Sequence, residues 1–235
     1  MKMNGEQMDV IRAKARKLLD EYVPFKWGDA HSKEICPGYS PGFGTTCGFL
    51  CHWLMWRLGV KDASRVNWTD EKRGLKAMPG DNIKRIYKGG EAPFIRCASY
   101  DKGISIPNPM ATGARPRTGD IVFLYRPGGV QADEHVFVFV SEERVVDEVF
   151  WNTAEAGQPG ANNLSTDARF RKRRILLPKQ PTPGALKPDP AAYCDEVKDP
   201  DFAVRRSANR TIIGWLDLGN LDYTDDAFEL ALKGG

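Results

Sequence analysis

The spacing of apolar residues changes part-way along the chain, and this change constrains the fold more than any other feature. Residues 7–22 carry apolar side chains at helical spacing with charged residues between them, and residues 47–60 form a second, almost wholly apolar helical segment. After residue 120 the apolar runs are short and are separated by polar turns, which is typical of strands. This order predicts an α+β fold in which N-terminal helices pack on a central antiparallel sheet.

The β section predicts a meander of neighbouring strands. Apolar runs predict strands over 121–125, 135–140, 145–151, 169–177 and 212–218, with a polar turn at 141–144. Six prolines between residues 178 and 200 indicate an extended connector. We therefore expect a main domain over residues 1–177, and a connector and C-terminal extension over residues 178–235 that pack on the same domain.

Composition excludes several classes of function. The chain has 235 residues, and its 34 basic and 31 acidic side chains give a net charge of +3, which is too balanced to indicate a nucleic-acid partner. The basic run 171–174 is interpreted as a solvated strand edge. No apolar stretch approaches the roughly 20 residues that cross a bilayer, so we expect no membrane insertion.

The cysteines indicate neither a disulfide framework nor a metal site. Their number is odd and their spacing irregular, at Cys36, Cys47, Cys51, Cys97 and Cys194. Cys47 and Cys51 share one helix face, but no Cys-x-x-Cys pair is present and the spacings match no common zinc site. We expect no metal and no cofactor.

Cys47 is the candidate nucleophile because it stands at the start of the apolar helical segment. There the helix dipole and unpaired backbone N–H groups favour the thiolate, which is the reactive form of cysteine. A cysteine without such help titrates near ~8.5 and is mostly protonated at neutral pH. Gly48 follows directly and permits close approach to the helix start. The alternative is that Cys47 is a small buried apolar residue.

A cysteine nucleophile needs a base, and the sequence holds three histidines, His31, His52 and His135. His52 lies five positions after Cys47 on the same helix, about 500° further round, so the two side chains point apart. His31 lies in a predicted loop and stays open as an alternative. His135 begins an apolar strand, where a sheet can meet the start of a helix, and we predict that it is the base.

An acidic residue in the next strand is the first candidate for the group that orients His135. Asp147 lies twelve positions further on, and a hairpin with its turn at 141–144 would set the two residues opposite one another. A carboxylate in this apolar run is costly to bury without a partner, and the second imidazole nitrogen would supply one. Asn152 and Glu148 are alternatives, and Asp147 facing water is a further one.

Three parts of the chain resemble the NlpC-type papain-like cysteine peptidases, which cut peptide or amide bonds in bacterial peptidoglycan, and their relatives, the CHAP amidases. The helix 10–22 and the turn 24–28 (Pro-Phe-Lys-Trp-Gly) are similar to the opening of that family. Residues 46–49 (Thr-Cys-Gly-Phe) are similar to its nucleophile segment. Residues 119–123 (Gly-Asp-Ile-Val-Phe) and 135–138 (His-Val-Phe-Val) are similar to its two following strands. The resemblance covers roughly residues 8–155.

The resemblance implies a papain-like fold and a catalytic set of Cys47, His135 and a third polar residue. The family position twelve after the histidine matches Asp147, whereas the CHAP branch favours Asn152. The chain departs from the family where Thr46 replaces an acidic residue ahead of the cysteine, and where residue 137 is phenylalanine rather than glycine.

Substrate contacts are expected beside the nucleophile. The backbone N–H of Cys47 and a second donor near Trp27 or Tyr39 would hold the oxyanion, and Gly48 would leave room for the substrate. The implied reaction is hydrolysis of a peptide or amide bond in the peptide part of peptidoglycan. The alternatives are a papain-like hydrolase that acts on proteins or lipids, and an inactive ligand-binding domain of the same fold.

Two biological settings fit such an enzyme, an antibacterial effector of the type VI secretion kind and a phage lysis enzyme. An effector would have a secretion-apparatus partner and an immunity protein in the producing cell. Residues 1–9 lack the apolar core of a signal peptide. We therefore expect synthesis in the cytoplasm and delivery to the periplasm or a target cell by a specialised secretion system or by phage lysis.

Overall fold

The computed structural model describes residues 2–37, 46–61, 94–97, 108–125, 135–159, 165–177, 193–196 and 210–233. Its helices are α1 (Gly5–Tyr22), α2 (Ala30–Ile35), α3 (Cys47–Arg57) and α4 (Ala227–Lys233). Its strands are β1 (Phe94–Arg96), β2 (Ile121–Tyr125), β3 (His135–Val145), β4 (Glu148–Pro159), β5 (Ser165–Leu176), β6 (Tyr193–Glu196) and β7 (Arg210–Leu216).

Both helices predicted from the apolar spacing are confirmed. α1 begins with a reciprocal cap in which the Asn4 side chain accepts from the Gln7 backbone N–H and the Gln7 side chain accepts from the Asn4 backbone N–H, both at 3.0 Å. α3 ends at Arg57, earlier than the predicted residue 60, and Gly59 follows with a positive φ of 76° that turns the chain out of the helix.

The strands form an antiparallel sheet that closes on itself. Its order among the described strands is β1-β7-β2-β3-β4-β5-β6, and β6 pairs with β7 as well as with β5. One edge of β7 pairs with β2, and the other edge pairs with β1 near one end and with β6 near the other. The strand from the predicted C-terminal extension is therefore an inner member of the sheet.

The alternation of side chains along the strands builds two apolar clusters. One cluster joins strand residues such as Val136, Val138 and Ala154 to side chains of α1 and α3, so the helices cover this face. The other fills the opposite, inner face of the closed sheet. Its large members are Val122, Leu124, Phe137, Phe139, Trp151, Ile175, Ile212 and Trp215.

A buried charged cluster ties α1 to the two strand ends that it crosses. Arg12 contacts Asp120, directly before β2, at 2.7 Å, and Asp217, directly after β7, at 2.9 Å. Asp120 also accepts from the backbone N–H of Leu218 at 3.0 Å. These contacts fix the first helix against Asp120 and Asp217, which lie 108 and 205 positions further along the chain than Arg12.

The predicted α+β architecture, with N-terminal helices packed on an antiparallel sheet, is confirmed at that level. The predicted turn at 141–144 is wrong, because these residues continue β3 and the chain reverses at 146–147 instead. The residue pattern also indicates a possible helix over residues 81–87, and this prediction lies outside the described residues. None of the helices that the structure describes is long and apolar enough to span a membrane.

Candidate active site

Cys47 is the first residue of α3 and is buried, with 7% of its surface exposed. The α3 helix packs on β3 and β4, so its N-terminus meets the sheet. The first turn of α3 carries no acidic side chain, which leaves the positive end of the helix unopposed there. Cys47 belongs to no disulfide.

His135 is the first residue of β3 and lies between Cys47 and a carboxylate. Its Nε2 is 2.9 Å from Oε2 of Glu155, and its side chain is hydrogen-bonded with that of Cys47. Because Nε2 faces Glu155, Nδ1 is the nitrogen available to the sulfur. Burial alone would lower the pKa of His135, but the hydrogen bonds with Cys47 and Glu155 raise it above its usual value.

Glu155 on β4 is fully buried and completes the arrangement. The register of β3 and β4 pairs Val138 with Ala154, which sets Glu155 diagonally across from His135. The Arg173 guanidinium on β5 contacts both carboxylate oxygens, and the Thr153 hydroxyl donates to one of them. Burial alone would raise the pKa of Glu155, but Arg173 and the hydrogen bond with His135 hold it well below its usual range.

The start of α3 is tied directly to the strand that carries Glu155. Oγ1 of Thr46, the residue before the nucleophile, accepts from the backbone N–H of Gly157 at 2.8 Å. The Thr46 side chain makes no capping hydrogen bond to its own helix. Since Gly157 is two residues past Glu155, this bond fixes the cysteine relative to the carboxylate.

Two other cysteines, Cys36 and Cys51, lie near Cys47 but are poor nucleophiles. Cys51 lies one turn further along α3, and burial together with the nearby Cys47 and Glu155 raises its pKa well above the usual value. Burial, with a smaller contribution from Cys47, also raises the pKa of the Cys36 thiol. Both thiols stay protonated at neutral pH, so Cys47, with its imidazole partner, is distinguished from them.

The predicted partnership of Asp147 with His135 is wrong in geometry. Asp147 lies at the exposed turn between β3 and β4, beyond the far end of the strand that His135 begins. Because strand residues rise about 3.3 Å each, this is roughly 30 Å along the hairpin. The reason is the register: β3 runs on through residues 141–145, so the residues that meet His135 come later in the chain.

Asn152 is also not brought to His135. Its side-chain amide donates to Oγ of Ser141 at 3.0 Å, in the middle of the β3–β4 pair. Glu148, the other alternative, begins β4 beside the turn and pairs with Arg174 at 2.6 Å. In the described chain, the acidic group facing His135 is Glu155.

Of the three predicted substrate-binding residues, the structure describes Trp27 and Gly48. Gly48 lies in the buried first turn of α3, directly after the nucleophile. Trp27 is partly buried against the apolar cluster that contains Cys47, and its backbone N–H donates to Asp167 on β5 at 3.1 Å. Phe25 pairs with Ala168 of the same strand, so this turn is anchored to β5. Tyr39 lies outside the described residues.

Sequence reasoning missed Glu155 and Arg173, although a signal for each was present. Glu155 stands between Ala154 and Ala156, and a carboxylate beside small apolar residues in a predicted β section is costly to bury without a partner. Arg173 belongs to the basic run 171–174, which was interpreted as solvated, yet its side chain is buried. A buried carboxylate and a buried guanidinium in neighbouring strands are expected to form an ion pair, because each is costly to bury alone.

The geometry assembles a thiol, an imidazole and a carboxylate in a chain of hydrogen bonds. The imidazole can accept the thiol proton and return it to a leaving group, while the carboxylate fixes the tautomer and stabilises the imidazolium. Comparisons of the chain with family models, curated proteins and solved structures gave no match. The functional argument therefore depends on these residues themselves.

Proposed function

We propose that the protein is a cysteine hydrolase that cleaves peptide or amide bonds in bacterial peptidoglycan, on a papain-like fold of the NlpC type. One observation carries the proposal: Cys47, at the N-terminus of α3, is hydrogen-bonded with His135, whose other ring nitrogen faces the buried Glu155. Nucleophile, base and orienting group are the three parts that acyl transfer by cysteine needs.

The proposed reaction has two steps. Cys47 transfers its proton to His135 and attacks the amide carbonyl, and backbone N–H groups at the start of α3 stabilise the oxyanion. The imidazolium then protonates the leaving amine, and an acyl-enzyme remains. A water molecule, deprotonated by His135, releases the acyl group. Glu155 holds the imidazole throughout and takes the role that the sequence had assigned to Asp147 or Asn152.

The choice of peptidoglycan rests on the resemblance of the motifs around the site. The turn 24–28, the nucleophile segment 46–49 and the histidine strand that starts at 135 occur in the order of the NlpC-type peptidases, with a longer loop between the first two segments. The turn also bonds to β5 through Phe25, and the nucleophile segment bonds to β4 through Thr46. The three segments thus belong to one bonded framework around the proposed nucleophile.

The test is digestion of purified peptidoglycan by the wild type, Cys47→Ala and Cys51→Ala, with the released fragments identified by mass spectrometry. We expect new amine ends with the wild type and with Cys51→Ala, which removes the other buried thiol of the same helix. We expect none with Cys47→Ala, because the nucleophile is gone, while its circular dichroism spectrum matches the wild type.

Two other outcomes would replace the proposal. Peptidoglycan left intact by a wild type whose Cys47 alkylates rapidly would retain the cysteine chemistry and move the substrate to a protein or a lipid. Intact peptidoglycan together with slow alkylation of Cys47 would favour an inactive ligand-binding domain. Release of the same fragments by Cys47→Ala would contradict the assigned nucleophile.

A further inference from the structure

Arg173 is a buried cation that binds Glu155, the carboxylate end of the Cys47–His135–Glu155 chain of hydrogen bonds. It extends from β5, where it pairs with Trp151 of β4, and 3% of its side chain is exposed. Nε contacts Oε1 of Glu155 and Nη2 contacts Oε2, so the guanidinium binds both oxygens of the carboxylate. Its central carbon also lies 5.3 Å from the centre of the Phe137 ring.

The groups around this carboxylate come from four elements. His135 approaches from β3, Thr153 from β4 itself, Arg173 from β5, and α3 contributes Cys51, whose thiol senses the charge of Glu155. Thr153 is neutral and Cys51 stays protonated. Among the described side chains that contact Glu155, Arg173 and a protonated His135 are the ones that can carry the offsetting positive charge at neutral pH.

We propose that Arg173 is a positioning residue that offsets the charge of Glu155, so that His135 is free to exchange its proton with Cys47. Without the guanidinium, the buried carboxylate would hold the imidazole in its protonated form, and the histidine could not accept the thiol proton. The inference rests on the proposed function, because it gives Arg173 a task only if the Cys47–His135 couple is reactive.

Stability alone does not account for this pair. Two apolar side chains of similar volume in place of a buried ion pair are commonly as stable or more stable, because both charges must be taken out of water. A charge close to an imidazole, in contrast, directly changes how readily the imidazole binds a proton. The departure of the sequence at Phe137 has a structural counterpart here, since the ring lies under the guanidinium.

The test follows alkylation of Cys47 by iodoacetamide as a function of pH, read by mass spectrometry of the Cys47 peptide, so it needs no substrate. In Arg173→Met the midpoint of the rate profile is expected to rise by about one pH unit or more, because a nearby positive charge has been removed. In Arg173→Lys, which keeps the charge, the midpoint is expected to stay near that of the wild type. A folded Arg173→Met with the wild-type midpoint would overturn the inference, as would an equal rise in Arg173→Lys.

A second pair of variants protects the test against misfolding of Arg173→Met. Glu155→Gln and the double variant Glu155→Gln/Arg173→Met differ only in the guanidinium and leave no buried carboxylate unpaired. The midpoints of these two variants are expected to differ by well under one pH unit, because no carboxylate charge remains for Arg173 to offset, and a rise of about one unit or more in the double variant would overturn the inference. A wild-type Cys47 that alkylates like an ordinary thiol would overturn both this inference and the proposed nucleophile, whereas a reactive Cys47 insensitive to Arg173 would overturn the inference alone.

Discussion

At the scale of single residues, the charge of Glu155 determines how the site responds to pH. The pKa of this carboxyl is held well below its usual range, so its stabilising contribution is complete above the unfolded pKa, near ~4.3, and is lost only as pH falls through the lower folded value. The pKa of His135 is raised, so its contribution is present at acid pH and is lost as pH rises through the folded value. The Cys47–His135 couple therefore titrates at higher pH than Glu155, which stays ionised near neutrality.

Replacing the acidic candidates one at a time distinguishes the orienting residue. We expect Glu155→Gln to lower kcat on the order of 10²-fold or more, because the imidazolium formed during the reaction loses its counter-charge and its fixed tautomer. Asp147→Asn is the matched control, since Asp147 lies at an exposed turn and should leave kcat unchanged. Turnover would be measured by release of amine ends from peptidoglycan, with folding checked by circular dichroism. An equal loss in Asp147→Asn would contradict the assignment.

At the scale of elements, one hydrogen bond joins the nucleophile helix to the acid-bearing strand. Thr46 Oγ1 accepts from the backbone N–H of Gly157, and Thr46 is completely buried. The bond lies between the residue before Cys47 and a residue two past Glu155. Because a shift of about 1 Å in a catalytic group can cost 10²-fold in rate, we expect this bond to matter for reactivity of the proposed nucleophile as well as for stability.

Substitution of Thr46 distinguishes the effect of this bond on stability from its effect on the reactivity of Cys47. Thr46→Val keeps the shape but leaves the N–H of Gly157 without its acceptor, which should cost about 1–3 kcal/mol in the free energy of unfolding and slow the alkylation of Cys47. Thr46→Ser retains the hydroxyl and should keep the alkylation rate close to that of the wild type. Urea unfolding and alkylation at fixed pH would be measured on both. Equal alkylation rates in the two variants would show that the bond does not position the thiol.

The sequence was sufficient for the two long helices, for the presence of a β section and for two of the three groups that the structure brings together at the proposed site. Cys47 and His135 could be found because each begins an element whose apolar pattern marks its start. The third group could not be found in the same way, because its identity depends on strand register. The polar run 141–144 has the composition of a turn but forms strand, and this extension moved the residue facing His135 from Asp147 to Glu155.

At the scale of the whole molecule, the site depends on closure of the sheet. The nucleophile comes from a helix on the outer face, and the base, the acid and the guanidinium come from three successive strands, β3, β4 and β5. These strands are held in a ring because β7 pairs with β2 on one side and with β6 on the other. A segment more than thirty residues beyond the last catalytic strand therefore supports the site without contributing a reacting group.

Truncation tests whether the segment after residue 177 is dispensable. A chain of residues 1–177 lacks β6 and β7 and leaves the edge of β2 that pairs with β7 without its partner strand, and it also loses Asp217, one of the two carboxylates that bind Arg12. We expect it to show no cooperative thermal unfolding and no rapid alkylation of Cys47. A chain of residues 1–226, which lacks α4 but keeps every described strand, is the control and should unfold cooperatively at a lower Tm than the full chain. If residues 1–177 alone unfolded cooperatively and alkylated rapidly at Cys47, the catalytic domain would end at 177 and β7 would be an accessory strand.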